Sequence, residues 1–133
     1  MVERSIHAVA IVLMLVLGVV VLKWWQRRKA GRASALLLPP RSGMPSLVYF
    51  HSPSCGVCRA SQKPILDRLT LHIGAGKLQL MVVDVSEKSD VARAWGVTTI
   101  PSTYVVGPAG EVVHVNNGLA SEPTLRRQLS PWL

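Results

Sequence analysis

The chain has 133 residues and a formal net charge of +8, and its length allows a single domain of ordinary size. The positive charge is concentrated at the start: residues 1–41 carry seven Lys or Arg against one acidic residue, whereas residues 42–133 carry eight against six. The larger part has no basic stripe with interleaved aromatic residues, which argues against a nucleic-acid-binding protein.

The first predicted element is a helix that begins at Ile6 with an apolar run to Leu22 and continues to Trp25. Its 20 residues would extend about 30 Å, which is the thickness of the hydrocarbon core of a bilayer. Trp24 and Trp25 stand where an aromatic belt lies at the membrane interface, and basic residues follow as headgroup contacts. We predict that residues 1–29 form a transmembrane anchor, which contacts lipid through residues 6–25.

Two other interpretations of this apolar segment remain open. A cleaved secretory signal would require small residues at a cleavage site after the apolar run, but Lys23 and two tryptophans follow instead. A buried core helix of this length would be unusual in so small a protein.

The rest of the chain is predicted to be a linker and one α/β domain. Residues 30–45 mix small, basic, Pro and Gly residues, which is typical of a linker, and the three leucines at 36–38 are compatible with a short edge strand. Residues 46–133 form the domain. Periodicity and turn residues predict strands at 47–50, 78–85, 103–106 and 111–115, and helices after Cys55, at 89–95 and from Ser121 onward. This order predicts a mixed sheet of four to five strands flanked by helices, in which strand 78–85 is buried.

Cys55 and Cys58 are the two cysteines of the chain, and they lie three residues apart between a strand and a helix. The free N–H groups and the dipole at the start of a helix stabilise a thiolate, so that the first cysteine becomes a nucleophile near neutral pH. Disulfide exchange needs such a thiolate to attack and a second thiol to resolve the mixed disulfide. We predict that Cys55 is the exposed attacker and Cys58 the buried resolver.

Three other interpretations of the cysteine pair stay open. The cysteines are compatible with small apolar core residues and with a permanent structural disulfide, although so short a loop gains little stability from closure. A structural zinc site normally needs four ligands, and here only His51 is near enough in sequence to be a third. We therefore predict no metal.

The arrangement resembles the thioredoxin family in two segments, residues 55–59 (CGVCR) after the first strand and residues 95–103 (WGVTTIPST) before the hairpin. The resemblance covers residues 46–133 and implies a thioredoxin-like fold. It also implies that Pro101 is cis and lies against the cysteine pair, and that the backbone of Ile100 pairs with an incoming substrate chain.

Several further residues are predicted to support the site, the glycines from the resemblance and the neighbours of the cysteines from their charge. Gly118 would help to line the substrate groove, whereas Gly110 matches a family glycine at the hairpin turn and is equally well explained as a plain turn glycine. Gly56 and Val57 separate the cysteines without adding charge, and Arg59 would favour the thiolate through its charge or simply be solvated.

The sequence departs from the family pattern at positions close to the cysteine pair. Ser54 replaces the usual Trp, and Tyr49 and Val82 replace a buried Asp and its Lys partner, which usually move the proton of the resolving thiol. The helix-kinking proline, Pro64, falls one residue late, so that the helix should start or bend differently. His51 is a candidate proton acceptor, with an exposed loop histidine as the alternative.

Together these features predict a membrane-tethered thiol–disulfide oxidoreductase that reduces protein disulfides through a mixed disulfide. It would need an upstream electron donor but no cofactor besides its own redox-active disulfide. A Cu(I)-binding thiol chaperone and a non-catalytic adaptor with the same fold are the alternatives. One Arg precedes the apolar run and five Lys or Arg follow it closely, which favours a cytoplasmic catalytic domain, although tethered relatives commonly work outside the cytoplasmic membrane.

Overall fold

The computed structural model describes residues 1–33 and 43–133, and within the first helix the side chains of residues 1–25. Helix α1 spans Val2–Ala33, so it continues into the stretch predicted to be a linker. The segment Val2–Trp25 is long and apolar enough to cross a membrane, with a mean hydropathy of 2.8, and its side chains are not buried against the rest of the chain. The predicted edge strand at 36–38 lies outside the described residues.

The domain alternates strands and helices in the predicted order. Its elements are β1 (Ser46–His51), a π-helical turn (Cys58–Gln62), α2 (Lys63–Ile73), β2 (Gln79–Asp84), α3 (Ser89–Ala94), β3 (Ser102–Val106), β4 (Val112–Asn117), α4 (Glu122–Leu129) and a 3₁₀ turn (Ser130–Trp132).

A mixed four-stranded sheet in the order β2-β1-β3-β4 forms the centre of the domain. Strand β1 pairs parallel with β2 and antiparallel with β3, and β3 pairs antiparallel with β4. The helical crossover between β1 and β2 permits the parallel pair, and the short hairpin between β3 and β4 requires the antiparallel one. The predicted mixed sheet is confirmed, with four strands in the described part of the chain.

Strand β1 lies inside the sheet, and its side chains contribute to hydrophobic cores on both faces of the sheet. Phe50 packs with Trp95 and Tyr104 on one face, with ring centroids 5.7 and 5.3 Å from that of Phe50. Leu47 and Tyr49 point to the other face. There they pack with Cys58 and with leucines of α2 and α4: Leu66, Leu69, Leu125 and Leu129. Burial on both faces explains the unbroken apolar run in the sequence of β1.

Strand β2 was predicted to be buried, and this prediction is wrong. The strand lies at the edge of the described sheet, and most of its residues are only partly buried. Val82, the register partner of Tyr49, is 54% exposed. An apolar run shows that a segment is β-prone, but it does not show whether the strand has neighbours on both sides.

Candidate active site

The two cysteines lie where strand β1 gives way to a helix. The strand ends at His51, a short turn follows, and the backbone N–H of Cys55 donates to the carbonyl oxygen of Ser52 at 3.1 Å. Cys55 is partly exposed, whereas Cys58 is only 1% exposed. The two residues are joined in a disulfide, with their Cα atoms 5.3 Å apart.

The sulfur of Cys55 lies at the amino end of the helical segment. The backbone N–H of Cys58 donates to Cys55 Sγ at 3.2 Å, and the N–H of Arg59 donates to the Cys55 carbonyl oxygen at 3.3 Å. In the dithiol form the same N–H of Cys58 and the helix dipole favour a thiolate at Cys55. Gly56 and Val57, both exposed, leave this side of the pair open to solvent.

The loop before β3 brings together the residues that the family resemblance singled out for substrate binding. The peptide bond between Ile100 and Pro101 is cis. The N–H of Gly118 donates to the carbonyl oxygen of Pro101 at 2.8 Å. Ile100 is partly buried, and it packs on the same core cluster as Cys55 and Cys58. Pro101 and Gly118 are therefore hydrogen-bonded neighbours, and Ile100 packs on the core that contains Cys58.

The expected change at the start of the helix is a π-helical turn at Cys58–Gln62. Pro64 follows this turn at the beginning of α2. Because a π-helical turn contains one residue more than an α-helical turn, it accommodates the shift of this proline by one position. Turns of this kind are frequent at functional sites, and here the turn begins at the resolving cysteine.

Gln62 is a buried residue of this turn that sequence reasoning missed. Its Nε2 donates to the carbonyl oxygen of Ala120 at 3.1 Å, and the N–H of Ala120 donates to its Oε1 at 2.8 Å. These two hydrogen bonds join the cysteine-bearing segment to the chain that follows Gly118. The available signal was a polar residue two positions before the displaced Pro64, at helical spacing from the apolar Cys58, Leu66 and Leu69.

A cavity of about 270 Å³ lies beside Tyr49 and Val82, the two positions at which the resemblance implies an Asp–Lys pair. Tyr49 lines it from β1 and Val82 from β2, and the hydroxyl of Tyr49 donates to the carbonyl oxygen of Cys58 at 3.3 Å. Burial raises the pKa of Tyr49 to about 12, so this phenol stays protonated at neutral pH. The remaining lining residues are His51, Pro53, Cys58, Arg59, Lys63, Leu66, Asp67 and Leu80.

His51 is the last residue of β1 and not a loop residue. It is half-buried, and its ring stacks on that of Tyr49 with centroids 5.2 Å apart and planes at 20°. Its register partner in β2 is Asp84, whose carboxylate accepts hydrogen bonds from the hydroxyl and backbone N–H of Ser86 at 2.6 and 2.9 Å. These hydrogen bonds, and to a smaller extent the charge of His51, lower the pKa of Asp84.

Ser54 stands where the family usually has Trp, and it is exposed. Its hydroxyl lies 2.9 Å from that of Ser52. Within residues 1–33 and 43–133, no group of three or more His, Cys, Asp or Glu side chains is arranged to hold a metal ion.

Comparison with known proteins places these features in a family. Residues 40–130 match the family model described as Thioredoxin. The chain is 33% identical over 87 residues to thioredoxin of Bacillus subtilis (strain 168), which covers 65% of this chain and 81% of that protein. It is 32% identical over 92 residues to thioredoxin 1 of Nostoc sp., and the match covers 69% of this chain and 83% of that protein.

The X-ray structure of Fasciola hepatica thioredoxin superposes with a TM-score of 0.60 at 26% identity, covering 70% of this chain and 85% of that one. The family model, these relatives and the pair of cysteines at a helix start agree. The chain belongs to the thioredoxin family, and Cys55 and Cys58 are the redox pair of a thioredoxin-like disulfide oxidoreductase.

Proposed function

We propose that this protein is a membrane-tethered reductase of protein disulfides. The observation that carries the proposal is the asymmetry of the redox pair. Cys55 Sγ is partly exposed and accepts an N–H hydrogen bond at the start of a helix, whereas Cys58 is buried behind it. This asymmetry suits an attacking thiolate and an internal resolving thiol.

The reaction proceeds in two exchanges. The Cys55 thiolate attacks one sulfur of a substrate disulfide, the substrate S–S bond breaks, and one substrate thiolate leaves. The sulfur of Cys58 then attacks Cys55 Sγ, the mixed disulfide breaks, and the second substrate thiolate leaves. The substrate gains two electrons and two protons, and the disulfide between Cys55 and Cys58 forms. A dithiol donor of the cell must reduce that disulfide again.

The loop before β3 is suited to hold an extended substrate segment. We infer that the backbone of Ile100 pairs with the substrate chain, next to the cis Pro101 and close to Gly118. The neutral Gly56 and Val57 between the cysteines favour reduction over oxidation, because they add no charge that would further stabilise the Cys55 thiolate in the reduced form.

Membrane attachment through α1 is part of the proposal. The apolar segment Val2–Trp25 has the length of a span, and basic residues follow it at once. The excess of these residues on one side favours a cytoplasmic catalytic domain.

Insulin reduction tests the proposed reaction directly. The full-length protein in detergent, with dithiothreitol as electron donor, should precipitate insulin B chain faster than dithiothreitol alone. Cys55→Ser should abolish this acceleration, because it removes the attacking sulfur. Reduced Cys58→Ser, freed of dithiothreitol before insulin is added, should instead trap a mixed disulfide with the substrate, visible as an adduct on a non-reducing gel. Full activity of Cys55→Ser would refute the assigned roles.

A further inference from the structure

In the second exchange of the proposed reaction, a base must take the proton of Cys58. The inference about this base rests on the proposed function. Cys58 is 1% exposed, and burial in apolar surroundings disfavours a thiolate. Its proton must leave before or while its sulfur attacks Cys55. The residues that usually take this proton in the family are replaced here by Tyr49 and Val82, so another group has to accept it.

Tyr49 and Val82 do not accept this proton. The phenol of Tyr49 stays protonated, because burial raises its pKa to about 12, and its hydroxyl already donates to the Cys58 carbonyl oxygen. Val82 has no polar atom in its side chain. Both residues instead line the cavity of about 270 Å³ that Cys58 also lines.

The charged groups on the helical side of the cavity are poorly suited to act as a base. Arg59 and Lys63 are cations and carry only hydrogen-bond donors. Asp67 forms an ion pair with Lys63, in which Oδ2 of Asp67 lies 2.8 Å from Nζ of Lys63. The side chain of Lys63 is 65% exposed and that of Asp67 is 54% exposed. This carboxylate therefore lies at the solvated rim, already engaged by a cation.

His51 is the remaining titratable side chain on the cavity. His51 lines the same cavity as Cys58, and its ring stacks on that of Tyr49 with centroids 5.2 Å apart, which holds its orientation. Asp84 on β2 is its register partner and is close enough for its negative charge to interact with a protonated imidazole. We propose that His51 accepts the proton of Cys58 across this cavity and is the general base of the resolving exchange.

The step balances without an added oxidant. In the mixed disulfide, the proton of Cys58 passes to a ring nitrogen of His51, through water where the cavity opens at its exposed rim. The sulfur of Cys58 forms a bond with Cys55 Sγ, and the bond between Cys55 and the substrate sulfur breaks. The substrate leaves as a thiolate and takes up a proton. The charge of Asp84 stabilises the imidazolium while it exists.

A chromogenic aromatic disulfide separates the two exchanges. The reduced full-length protein in detergent releases one coloured thiolate when Cys55 attacks and a second one when Cys58 resolves. Stopped-flow absorbance between pH 5.5 and 8.5 therefore gives a rate for each step. His51→Gln should slow the second release at pH 7 at least about tenfold, a modest share of the 10²–10⁴ that general bases contribute. The first release should stay within about twofold.

Two further variants make the result specific. His114→Gln, an exposed histidine on β4, is the matched control and should change neither rate. The double variant Tyr49→Asp/His51→Gln puts a carboxylate on the cavity at the family's usual position. It should recover most of the second rate, which a loss of folding would not permit. Should His51→Gln not fold, His51→Asn replaces it in the same comparison.

The outcomes separate the two proposals. If the wild type releases both thiolates and His51→Gln does so at unchanged rates across the pH range, His51 is not the base. The same conclusion follows if Asp67→Asn slows the second release and His51→Gln does not. If the wild type releases no thiolate at all, the proposed disulfide reduction fails as a whole.

Discussion

Gln62 shows how much a single buried polar side chain can do next to the redox pair. Its amide satisfies both the N–H and the carbonyl oxygen of Ala120, although the two residues are 58 positions apart in the chain. An amide buried to 0% exposure is tolerated only because both of its ends are hydrogen-bonded. It fixes the turn that carries Cys58 against the segment after Gly118.

Replacing this side chain should destabilise the domain. Gln62→Leu keeps the volume but leaves both backbone groups of Ala120 without a partner in the core, which costs about 1–3 kcal/mol. The melting temperature of the full-length protein should fall accordingly. Ser61→Ala, in the same turn, is the matched control and should change stability by less than about 0.5 kcal/mol. Equal melting temperatures for both variants would contradict the role given to Gln62.

At the level of elements, Glu122 joins α4 to α2. Its carboxylate accepts a hydrogen bond from Nδ1 of His72 at 2.9 Å, and it forms ion pairs with Arg68 at 3.5 Å and with Arg126 at 3.3 Å. The hydrogen bond from His72, followed by that from Arg126, lowers the pKa of Glu122 below its ordinary value of 4.5. A negative charge in the first turn of α4 is also favourable to the helix dipole.

This shift makes part of the stability depend on pH. Because the folded state binds the proton of Glu122 less tightly than the unfolded state, its contribution is present above pH 4.5 and is lost as the pH falls through the lowered pKa. Glu122→Gln should therefore reduce the melting temperature at pH 6 and make little difference near pH 3. Glu87→Gln is the exposed control. A reduction that is the same at both pH values would count against this account.

At the level of the whole molecule, the proposed membrane attachment through α1 would decide which disulfides the domain meets. A retained α1 should keep the protein in the membrane fraction during alkaline extraction, whereas a cleaved signal would yield a soluble, shorter product. In the Cys58→Ser variant, Cys55 is a single free thiol. A membrane-impermeant maleimide should label it only after the cells are permeabilised, if the catalytic domain is cytoplasmic.

Labelling in intact cells would place the domain on the outer side. It would then point to extracytoplasmic substrates and to a donor that delivers electrons across the membrane. The double variant Cys55→Ser/Cys58→Ser should not be labelled in either case, which controls for the chemistry of the reagent.

The elements and the redox pair of this molecule could be predicted from local patterns. The alternation of apolar runs with helical periodicity fixes the strands and helices, and the spacing of Cys55 and Cys58 indicates their chemistry. The exposure of β2, the hydrogen bonds of Gln62 and the cavity beside His51 could not be predicted. Each depends on which distant segments meet, and no local pattern in the chain encodes those contacts.

The central place of β1 has a consequence for how the molecule fluctuates. Its amides are bonded to neighbours on both sides, so they should exchange with deuterium only in the largest openings of the domain, whereas β2 and β4 exchange in smaller ones. Cys55 follows this strand after a turn of three residues. The cysteine pair is thus attached to the strand that we expect to open least often. Local opening of the edge strands β2 or β4 should therefore leave the distance between its sulfur atoms unchanged.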